Sequence, residues 1–306
     1  MLSYIVRRVI GSLIVLLLIT AIAFALAYLV PSDPARMIAG VHASAATLAE
    51  IRHKLGLDKP VPVQYVDYLG RLLRGNLGTS FIYDRPVVSL LKDKFLATLP
   101  LALAAWLAEL LIGIPLGIYT ARRARRSADY LVSALALVGL SMPVFWLGLI
   151  LLYWFGFKLP IFPLGGHTGF MSLVLPSLTI GIVGAAYYLR LLKSSMLEVM
   201  GNDYIRTARA KGAGERRVVW RHVVPNAVIP VITYAGIDIG ILMGGLIMTE
   251  YTFNWNGIGA LMYEALQQSD IPVIMGTVLL AAVLVVLFNL VVDVLYVFLD
   301  PRIRCD

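Results

Sequence analysis

Cysteine, histidine and charged side chains are all scarce in this sequence. Its single cysteine, Cys305, excludes an intrachain disulfide and any thiolate metal cluster. The four histidines are scattered, and none has a metal-ligand spacing to another: His42, His53, His167 and His222. Charged residues make up 14% of the chain and hydrophobic residues 59%, and the mean hydropathy is +0.83. Because about a quarter of the residues in a soluble domain are charged, this composition predicts an integral membrane protein. The cysteine and histidine content predicts no metal site.

The chain also lacks the motifs of nucleotide hydrolysis and of nucleophilic catalysis. No Gly-x-x-x-x-Gly-Lys-Ser/Thr phosphate loop occurs, and no nucleophile elbow or Ser/His/Asp constellation stands out. We therefore predict no catalytic residue and expect any energy source to lie on another protein. The formal charge of +8 could indicate a nucleic-acid partner, but no basic stripe with interleaved aromatic residues lies outside the loops between apolar runs. We predict no nucleic-acid partner.

Six apolar runs are long enough to cross a bilayer as helices. We number them spans one to six: Val9–Val30, Leu96–Ala121, Ala128–Phe157, Met171–Leu192, Ala227–Thr249 and Pro272–Leu299. The first run could be a secretory signal peptide, but its apolar core of about twenty residues exceeds the roughly 7–15 residues of such peptides. The sequence therefore predicts an all-α integral membrane protein with six transmembrane helices, the first of them retained.

Basic residues are concentrated in the short loops on one side of the predicted membrane. They are Arg7, Arg8, Arg122, Arg123, Arg125, Arg126, Arg206, Arg209, Lys211, Arg216, Arg217, Arg221, Arg302 and Arg304. The opposite side has Lys158 in one short loop, and no Lys or Arg between Glu250 and Asp270. Because Lys and Arg in short loops mark the cytoplasmic side, we predict that both termini are cytoplasmic.

The long segment between spans one and two has helical patterns of its own. Ala45–Leu55 follows a plausible Ser44 cap, and Val63–Leu73 is amphipathic. We predict a small external helical domain over residues 31–95, after an N-terminal tip and first span at 1–30. A core of five membrane helices follows over 96–299, with a cytoplasmic loop at 201–226, and a cytoplasmic tail closes the chain at 300–306.

A polar, basic segment, Asp203–Val231, separates spans four and five. Asn202 or Asp203 can cap the start of a helix, the run Tyr204–Lys211 continues it, and Gly212 suits the left-handed position after a helix end. One hypothesis is a loop whose basic residues only hold it in the cytoplasm. The other, which we favour, is a docking helix for a cytoplasmic partner.

The residues DYIRTARAKG in this segment resemble the EAA loop of ABC-importer membrane subunits, in the form typical of the dipeptide, oligopeptide and nickel permease family. Gly212 takes the conserved glycine position, and Pro225 takes the proline of the Ile-x-Leu-Pro positions. Arg206 and Thr207 depart from the general Glu-Ala-Ala pattern, as that branch does. Further similar segments are Pro31-Ser32-Asp33-Pro34, Leu55–Pro60, Gly75–Ser80, Ser141-Met142-Pro143, Ser195–Glu198 and Asp300-Pro301-Arg302, so the resemblance runs from end to end.

The resemblance implies the type I ABC importer permease fold in a bacterial inner membrane. It also implies a second homologous permease in a heterodimer, two cytoplasmic ATPase subunits that hold ATP and Mg, and an external solute-binding protein. The coupling residues would be Asp203, Tyr204, Arg206, Thr207, Ala208, Arg209, Lys211 and Gly212. The expected cargo is a dipeptide or oligopeptide, with a nickel or metal complex as the alternative. A proton-coupled secondary transporter is a rival class, but it would need a proton relay and usually an internal repeat.

Several residues are candidates for the path of the cargo. Glu109 and Asp238 are ionisable residues within spans, where charge is costly, and each either lines the path or is a buried partner of a polar group such as Asn289, Tyr187 or Tyr188. Ser141 and Met142 are path candidates in a segment similar to the family. Phe253 and Trp255 are candidates for an external gate or a binding-protein contact, and Trp255 could equally be an interfacial anchor.

The GxxxG spacings of Gly113 with Gly117 and of Gly236 with Gly240 predict close helix packing, either within the chain or, for span five, against the second permease.

Overall fold

The computed structural model describes residues 2–29, 35, 39, 43–167 and 169–299. The predicted tail at 300–306 and the similar segments at 31–34 and 300–302 lie outside this part of the chain. The described residues are mostly helical, and their only β-type pairing is an isolated antiparallel bridge between Thr79 and Pro86.

Fourteen α-helices are described, and two π-helical segments continue α6 and α9. The helices are α1 Leu2–Leu29, α2 Ala45–Leu55, α3 Val61–Leu73, α4 Val87–Arg122, α5 Ser127–Ser141, α6 Val144–Leu151, α7 Phe170–Met200, α8 Asp203–Ala210, α9 Glu215–Val218, α10 Val224–Ala227, α11 Ile229–Met243, α12 Ile247–Thr252, α13 Ile258–Gln267 and α14 Ile271–Leu299. The π-helical segments are Leu152–Lys158 and Val219–Val223.

Four of the described helices are long and apolar enough to cross a membrane without a break: Val6–Leu26 within α1, all of α4 and α7, and Ile271–Val292 within α14. Two bent pairs raise the number to six if each pair is one span. One pair is α5 with α6 and its π-helical continuation, and the other is Glu215–Ala227 with α11. The six predicted spans therefore correspond to four continuous helices and two interrupted ones.

Span three is not the continuous helix Ala128–Phe157 that the sequence predicted. It breaks after Ser141, resumes at Val144, and the two parts are bent by 102°. Pro143 explains the break, because the residue before a proline avoids the helical region. Met142 is accordingly extended, at φ −81° and ψ 131°.

Span five also ends earlier than predicted, at Met243 and not at Thr249. Gly245 follows with φ +120°, which side chains other than glycine rarely adopt. The chain turns there and begins the separate helix α12 at Ile247. At its other end, span five is bent by 46° between Ala227 and Ile229.

Spans two and four pack closely through glycines. A Cβ atom on Gly113 would lie 2.6 Å from the carbonyl oxygen of Ala185 and 2.6 Å from Cβ of Tyr188. On Gly117 it would lie 3.1 Å from the carbonyl oxygen of Leu189. The predicted close packing at this GxxxG spacing is confirmed, and both partners belong to the same chain.

The glycines of span five face span six. A Cβ atom on Gly236 would lie 1.8 Å from Cγ2 of Val292, and one on Gly240 would lie 3.1 Å from Cβ of Phe288. The hypothesis that this glycine stripe lines an interface with a second permease is therefore wrong, because span six of the same chain occupies that face.

We expect Gly113→Ala to destabilise the bundle by about 1–3 kcal/mol, since backbone atoms of span four cannot move aside for the new methyl group. Gly139→Ala is a matched control, because Gly139 also lies within a membrane helix and its Cβ would meet nothing within 4 Å. The measurement is the thermal unfolding midpoint of each purified variant in detergent. Equal midpoints would refute the packing argument.

The two helices of the external region begin and end largely as the sequence predicted. The Ser44 hydroxyl accepts a hydrogen bond from the Thr47 amide at 3.1 Å, and Gly56 ends α2 with φ +68°. On α3, Tyr65 and Tyr68 pack against Phe24 of span one, with ring centroids 5.3 and 5.9 Å away. These contacts fasten the external helices to the outer end of the first span.

Candidate coupling site and translocation path

A helix, α8, is present where the docking helix was predicted, and we call it the coupling helix after that prediction. Gly212 has φ +80°, its amide donates to the Arg209 carbonyl at 2.9 Å, and the Ala213 amide donates to the Ala208 carbonyl at 3.2 Å. This pair of bonds is the Schellman motif, which satisfies carbonyls at a helix end. The predicted end of the helix is confirmed.

The start of the coupling helix differs in one detail from the prediction. Asn202 occupies the N-cap position with extended backbone, at φ −72° and ψ 147°, but its side chain makes no capping hydrogen bond. Asp203, the other candidate cap, is the first helical residue and pairs with Arg206 at 3.6 Å. A carboxylate in the first turn still favours the helix through the helix dipole.

Almost the whole surface of the coupling helix is available to a partner. Seven of the eight predicted coupling residues are exposed: Asp203, Tyr204, Arg206, Thr207, Arg209, Lys211 and Gly212. Ala208 is half-buried. A short helix with this much exposed polar and aromatic surface is suited to bind in a groove of another protein.

Ile205 fastens the coupling helix to the membrane bundle, and the sequence analysis missed it. Its side chain is 0% exposed, and it is the one buried residue of the helix. It belongs to a core cluster with Ile118 at the end of span two, Met196 at the end of span four, and Val218. The coupling helix is therefore packed against the ends of spans two and four.

A salt bridge braces the turn after the coupling helix. Arg209 Nε donates to Glu215 Oε1 at 2.7 Å, and its Nη2 donates to Oε2 at 3.3 Å. Both side chains are partly exposed, so the pair contributes little to stability, on the order of 1 kcal/mol or less. Because the pair is bidentate, its main effect is to orient α8 relative to α9 across Gly212.

The chain from this turn to span five is a half-buried helical segment. Val218, Val219, Val223 and Ala227 are buried on one side of it. Pro225 cannot donate a backbone hydrogen bond, and the wider π-helical turn Val219–Val223 lies just before it. The segment then bends by 46° into α11 between Ala227 and Ile229.

Glu109 and Asp238, two path candidates, are buried between spans two, four and five. They are 3% and 8% exposed. The Tyr188 hydroxyl donates to Asp238 Oδ2 at 2.7 Å, and a Cβ atom on Gly184 would lie only 2.0 Å from Glu109 Oε1. Of the polar partners that the structural alternative offered, Tyr188 is the one that bonds to Asp238. This geometry favours that alternative, and a role in the path stays a prediction.

Ser141 and Met142, the other two path candidates, lie at the break in span three. Ser141 is exposed, and its hydroxyl donates to the Leu137 carbonyl at 2.9 Å. Met142 is half-buried. A break in a membrane helix is where backbone groups become available to line a cavity, so both residues stay candidates.

Phe253 and Trp255 lie inside the subunit. They are 2% and 3% exposed, and Trp255 Nε1 donates to the Ala97 carbonyl at 2.9 Å. This burial argues against direct contact with a binding protein and against an interfacial anchor, because both would require an exposed ring. Their positions on the outer side of spans two and five leave the gate hypothesis as a prediction.

Glu250 connects three helices of this outer region, and the sequence analysis did not identify it as a candidate. The side chain is 0% exposed. Oε1 accepts a hydrogen bond from the Thr98 hydroxyl at 2.7 Å, and Oε2 accepts one from the Ala260 amide at 2.9 Å in the first turn of α13. Burial raises the pKa of the Glu250 carboxyl, and these hydrogen bonds oppose the shift. One side chain thus joins span two, α12 and α13.

We expect Glu250→Ala to destabilise the protein by about 2–3 kcal/mol, because a buried amide and a buried hydroxyl lose their acceptor. Glu250→Gln is the matched control, since its oxygen can still accept from the Ala260 amide and its amide nitrogen can donate to the Thr98 oxygen, so that only the acceptor of the Thr98 hydroxyl is lost. The measurement is the unfolding midpoint of both variants in detergent. A glutamine variant as unstable as the alanine variant would contradict this account.

A helical membrane bundle that presents a short polar helix between its fourth and fifth spans, fastened to the bundle by one buried side chain, has the architecture of an ABC importer permease subunit. The chain belongs to the family of binding-protein-dependent transport system inner membrane components, which residues 113–304 match. Residues 1–102 match the N-terminal family of the same membrane components. It is thus a multi-pass protein of the bacterial inner membrane, and the ATPase of such a system is a different subunit.

Several curated relatives match this chain over nearly its whole length. The glutathione transport system permease protein GsiC of Salmonella typhimurium is 41% identical over 99% of both chains. GsiC of Pectobacterium atrosepticum is 40% identical, and that of Escherichia coli K12 is 38% identical, each over the same share. A solved structure of the MetNI methionine ABC transporter in inward-facing conformations matches 70% of this chain and 97% of its own, with a TM-score of 0.56 and 21% identity. At that identity it shows the fold alone, which is the type I importer permease fold that the sequence predicted.

Proposed function

We propose that this chain moves short peptides from an external binding protein to the cytoplasm, driven by ATP hydrolysis on separate subunits. The observation that carries the proposal is the coupling helix, exposed over most of its surface and anchored through Ile205 to the ends of spans two and four. Such a helix can pass rigid-body motion from a docked ATPase to the bundle.

The proposal includes a complete set of partners. Two cytoplasmic ATPase subunits hold ATP and Mg, a second homologous permease completes a pseudo-twofold heterodimer, and an external protein delivers the cargo. Because the glycines of span five face span six, the second permease must pack against other faces of the bundle. We place its contact on the exposed apolar side chains of spans three and five, for example Leu131, Leu135 and Ile241.

Glutathione, a tripeptide, is the first cargo to test. The relatives that are 38–41% identical over 99% of the chain are named as glutathione transport permeases. Other short peptides are the next candidates. A nickel or metal complex, the alternative from the sequence resemblance, is the third.

Uptake by reconstituted transporter tests both the mechanism and the cargo. The tagged chain is expressed with its neighbouring transport genes, purified with what binds it, and placed in proteoliposomes with the binding protein and internal ATP. We expect uptake of labelled glutathione that requires ATP and persists with a protonophore. Uptake of other peptides or of nickel, without uptake of glutathione, would identify a different cargo. Uptake driven by a proton gradient without ATP would overturn the mechanism.

Deletion of residues 203–212 tests whether the coupling helix binds the ATPase subunits. We expect the deletion to remove the ATPase subunits from the purified complex and to abolish uptake. Recovery of the same ATPase subunits with the deleted chain would contradict the docking role of the coupling helix.

A further inference from the structure

A basic groove of about 810 Å³ lies next to the coupling helix, and we call it the cytoplasmic groove. It is lined by Gly214, Arg216, Arg217, Trp220, Arg221 and Pro225. The three arginines are exposed, and they form no ion pair within the part of the chain that the structure describes. The one acid next to them, Glu215, is already paired with Arg209. The groove therefore presents three uncompensated positive charges.

The cytoplasmic groove lies at the level where spans enter the membrane. The opposite side of its helical segment is buried, through Val218 and Val223, in a cluster with Ile118 and Ala121 at the end of span two. The segment then bends directly into span five. By the predicted orientation, this level is the cytoplasmic interface of the bilayer.

An exposed indole completes the groove. Trp220 is 53% exposed on the same face as the arginines. Tryptophan is enriched at membrane–water interfaces, where its ring lies at the level of the headgroups. Guanidinium groups bind phosphate oxygens in pairs of parallel hydrogen bonds. Cytoplasmic leaflets are negatively charged and attract Lys and Arg close to the surface.

We propose that the cytoplasmic groove binds the phosphate headgroup of an anionic phospholipid from the cytoplasmic leaflet. An acidic surface of an ATPase could also meet the arginines, but it would not account for an apolar ring at the same face. A lipid accounts for both, because its phosphate lies beside its acyl chains. Since the groove-lining segment joins the coupling helix to span five, a bound lipid would hold that connection at a fixed depth.

Lipid titration of the full-length chain tests this proposal. The purified protein is titrated with phosphatidylglycerol and, separately, with phosphatidylcholine, and bound lipid is counted by native mass spectrometry. The groove variant carries Arg216→Gln, Arg217→Gln and Arg221→Gln. The matched control carries Arg122→Gln, Arg125→Gln and Arg126→Gln, which remove as much charge from another cytoplasmic loop.

We expect the unmodified protein to prefer phosphatidylglycerol. Each hydrogen bond between a guanidinium group and a phosphate oxygen is worth roughly tenfold or more in affinity, so loss of the three groove arginines is expected to weaken phosphatidylglycerol binding by at least about a hundredfold. The control arginines lie outside the groove, so their loss is expected to weaken binding severalfold at most. Trp220→Ala is expected to weaken binding further than Trp220→Phe does. Neither effect depends on which cargo is imported.

Four results would overturn the proposal. The first is equal loss of phosphatidylglycerol in both arginine variants, which would mean diffuse attraction. The second is displacement of the lipid by inorganic phosphate at equal concentration, which would mean a site for a free phosphate. The third is no preference for phosphatidylglycerol over phosphatidylcholine. The fourth is a groove variant that retains the lipid but no longer copurifies with ATPase subunits, which would make the groove an ATPase contact.

Discussion

Gly212→Pro is expected to abolish ATP-driven uptake while the protein still inserts in the membrane. Gly212 has φ +80°, and a proline is fixed near −65°. The Gly212 amide also donates to the Arg209 carbonyl at 2.9 Å, and proline has no amide hydrogen to replace this bond. A cost of about 3 kcal/mol or more would shift the population of the native turn by about a hundredfold.

The effect on uptake follows from the position of the turn. The Schellman turn at Gly212 sets the angle between the coupling helix and the segment that leads into span five. If the turn opens, the coupling helix can stay docked on an ATPase while span five no longer follows its movement. We therefore expect ATP hydrolysis to continue in the reconstituted complex while uptake falls by at least about tenfold.

Two control substitutions make this test specific. Gly214→Pro makes the same change two residues later, where φ is already −63° and a proline fits. Gly212→Asn keeps the left-handed conformation, which asparagine tolerates better than most residues. Both controls should transport like the unmodified protein. Uptake by Gly212→Pro at the level of Gly214→Pro would show that the turn does not transmit motion.

Local rules explain which parts of the coupling site could be predicted from the sequence. The helix end at Gly212 depends on one glycine and on hydrogen bonds within a few residues, so it was predicted correctly. The break at Pro143 also depends on a local rule, because the residue before a proline avoids the helical conformation. The prediction of one continuous helix over Ala128–Phe157 did not apply this rule. Asn202 or Asp203 was expected to cap the helix through its side chain, but the structure places Asn202 in the cap position without a side-chain capping bond.

Long-range contacts explain what the sequence could not predict. The hydrogen-bond partners of Glu250 include Thr98, far away in the chain and on another span. The glycines of span five could have faced a neighbouring subunit or span six, because a GxxxG spacing predicts close packing without naming the partner. Ile205 and Ala208, three residues apart, give an eight-residue helix only a short apolar side, and such a side does not indicate whether it packs on this bundle or on a partner.

The buried position of Ile205 leads to the second large expected effect. Ile205→Asp is expected to abolish uptake and to lower recovery of the ATPase subunits, because an isolated carboxylate is strongly disfavoured in an apolar cluster. To reach water, the aspartate must leave the cluster and take the coupling helix away from the ends of spans two and four. Ala210→Asp is the matched control, since it places the same charge on an exposed position of the same helix.

A graded series separates detachment of the coupling helix from unfolding of the bundle. Ile205→Val should have a small effect, and Ile205→Ala should cost about 2–4 kcal/mol as a cavity, with uptake between that of Ile205→Val and Ile205→Asp. Membrane insertion and the unfolding midpoint of the bundle are measured in parallel with uptake. Because spans two and four remain packed through Gly113 and Gly117, we expect uptake to fall before the bundle unfolds. If Ile205→Asp transports as well as Ala210→Asp, motion must reach the bundle by a route other than this side chain.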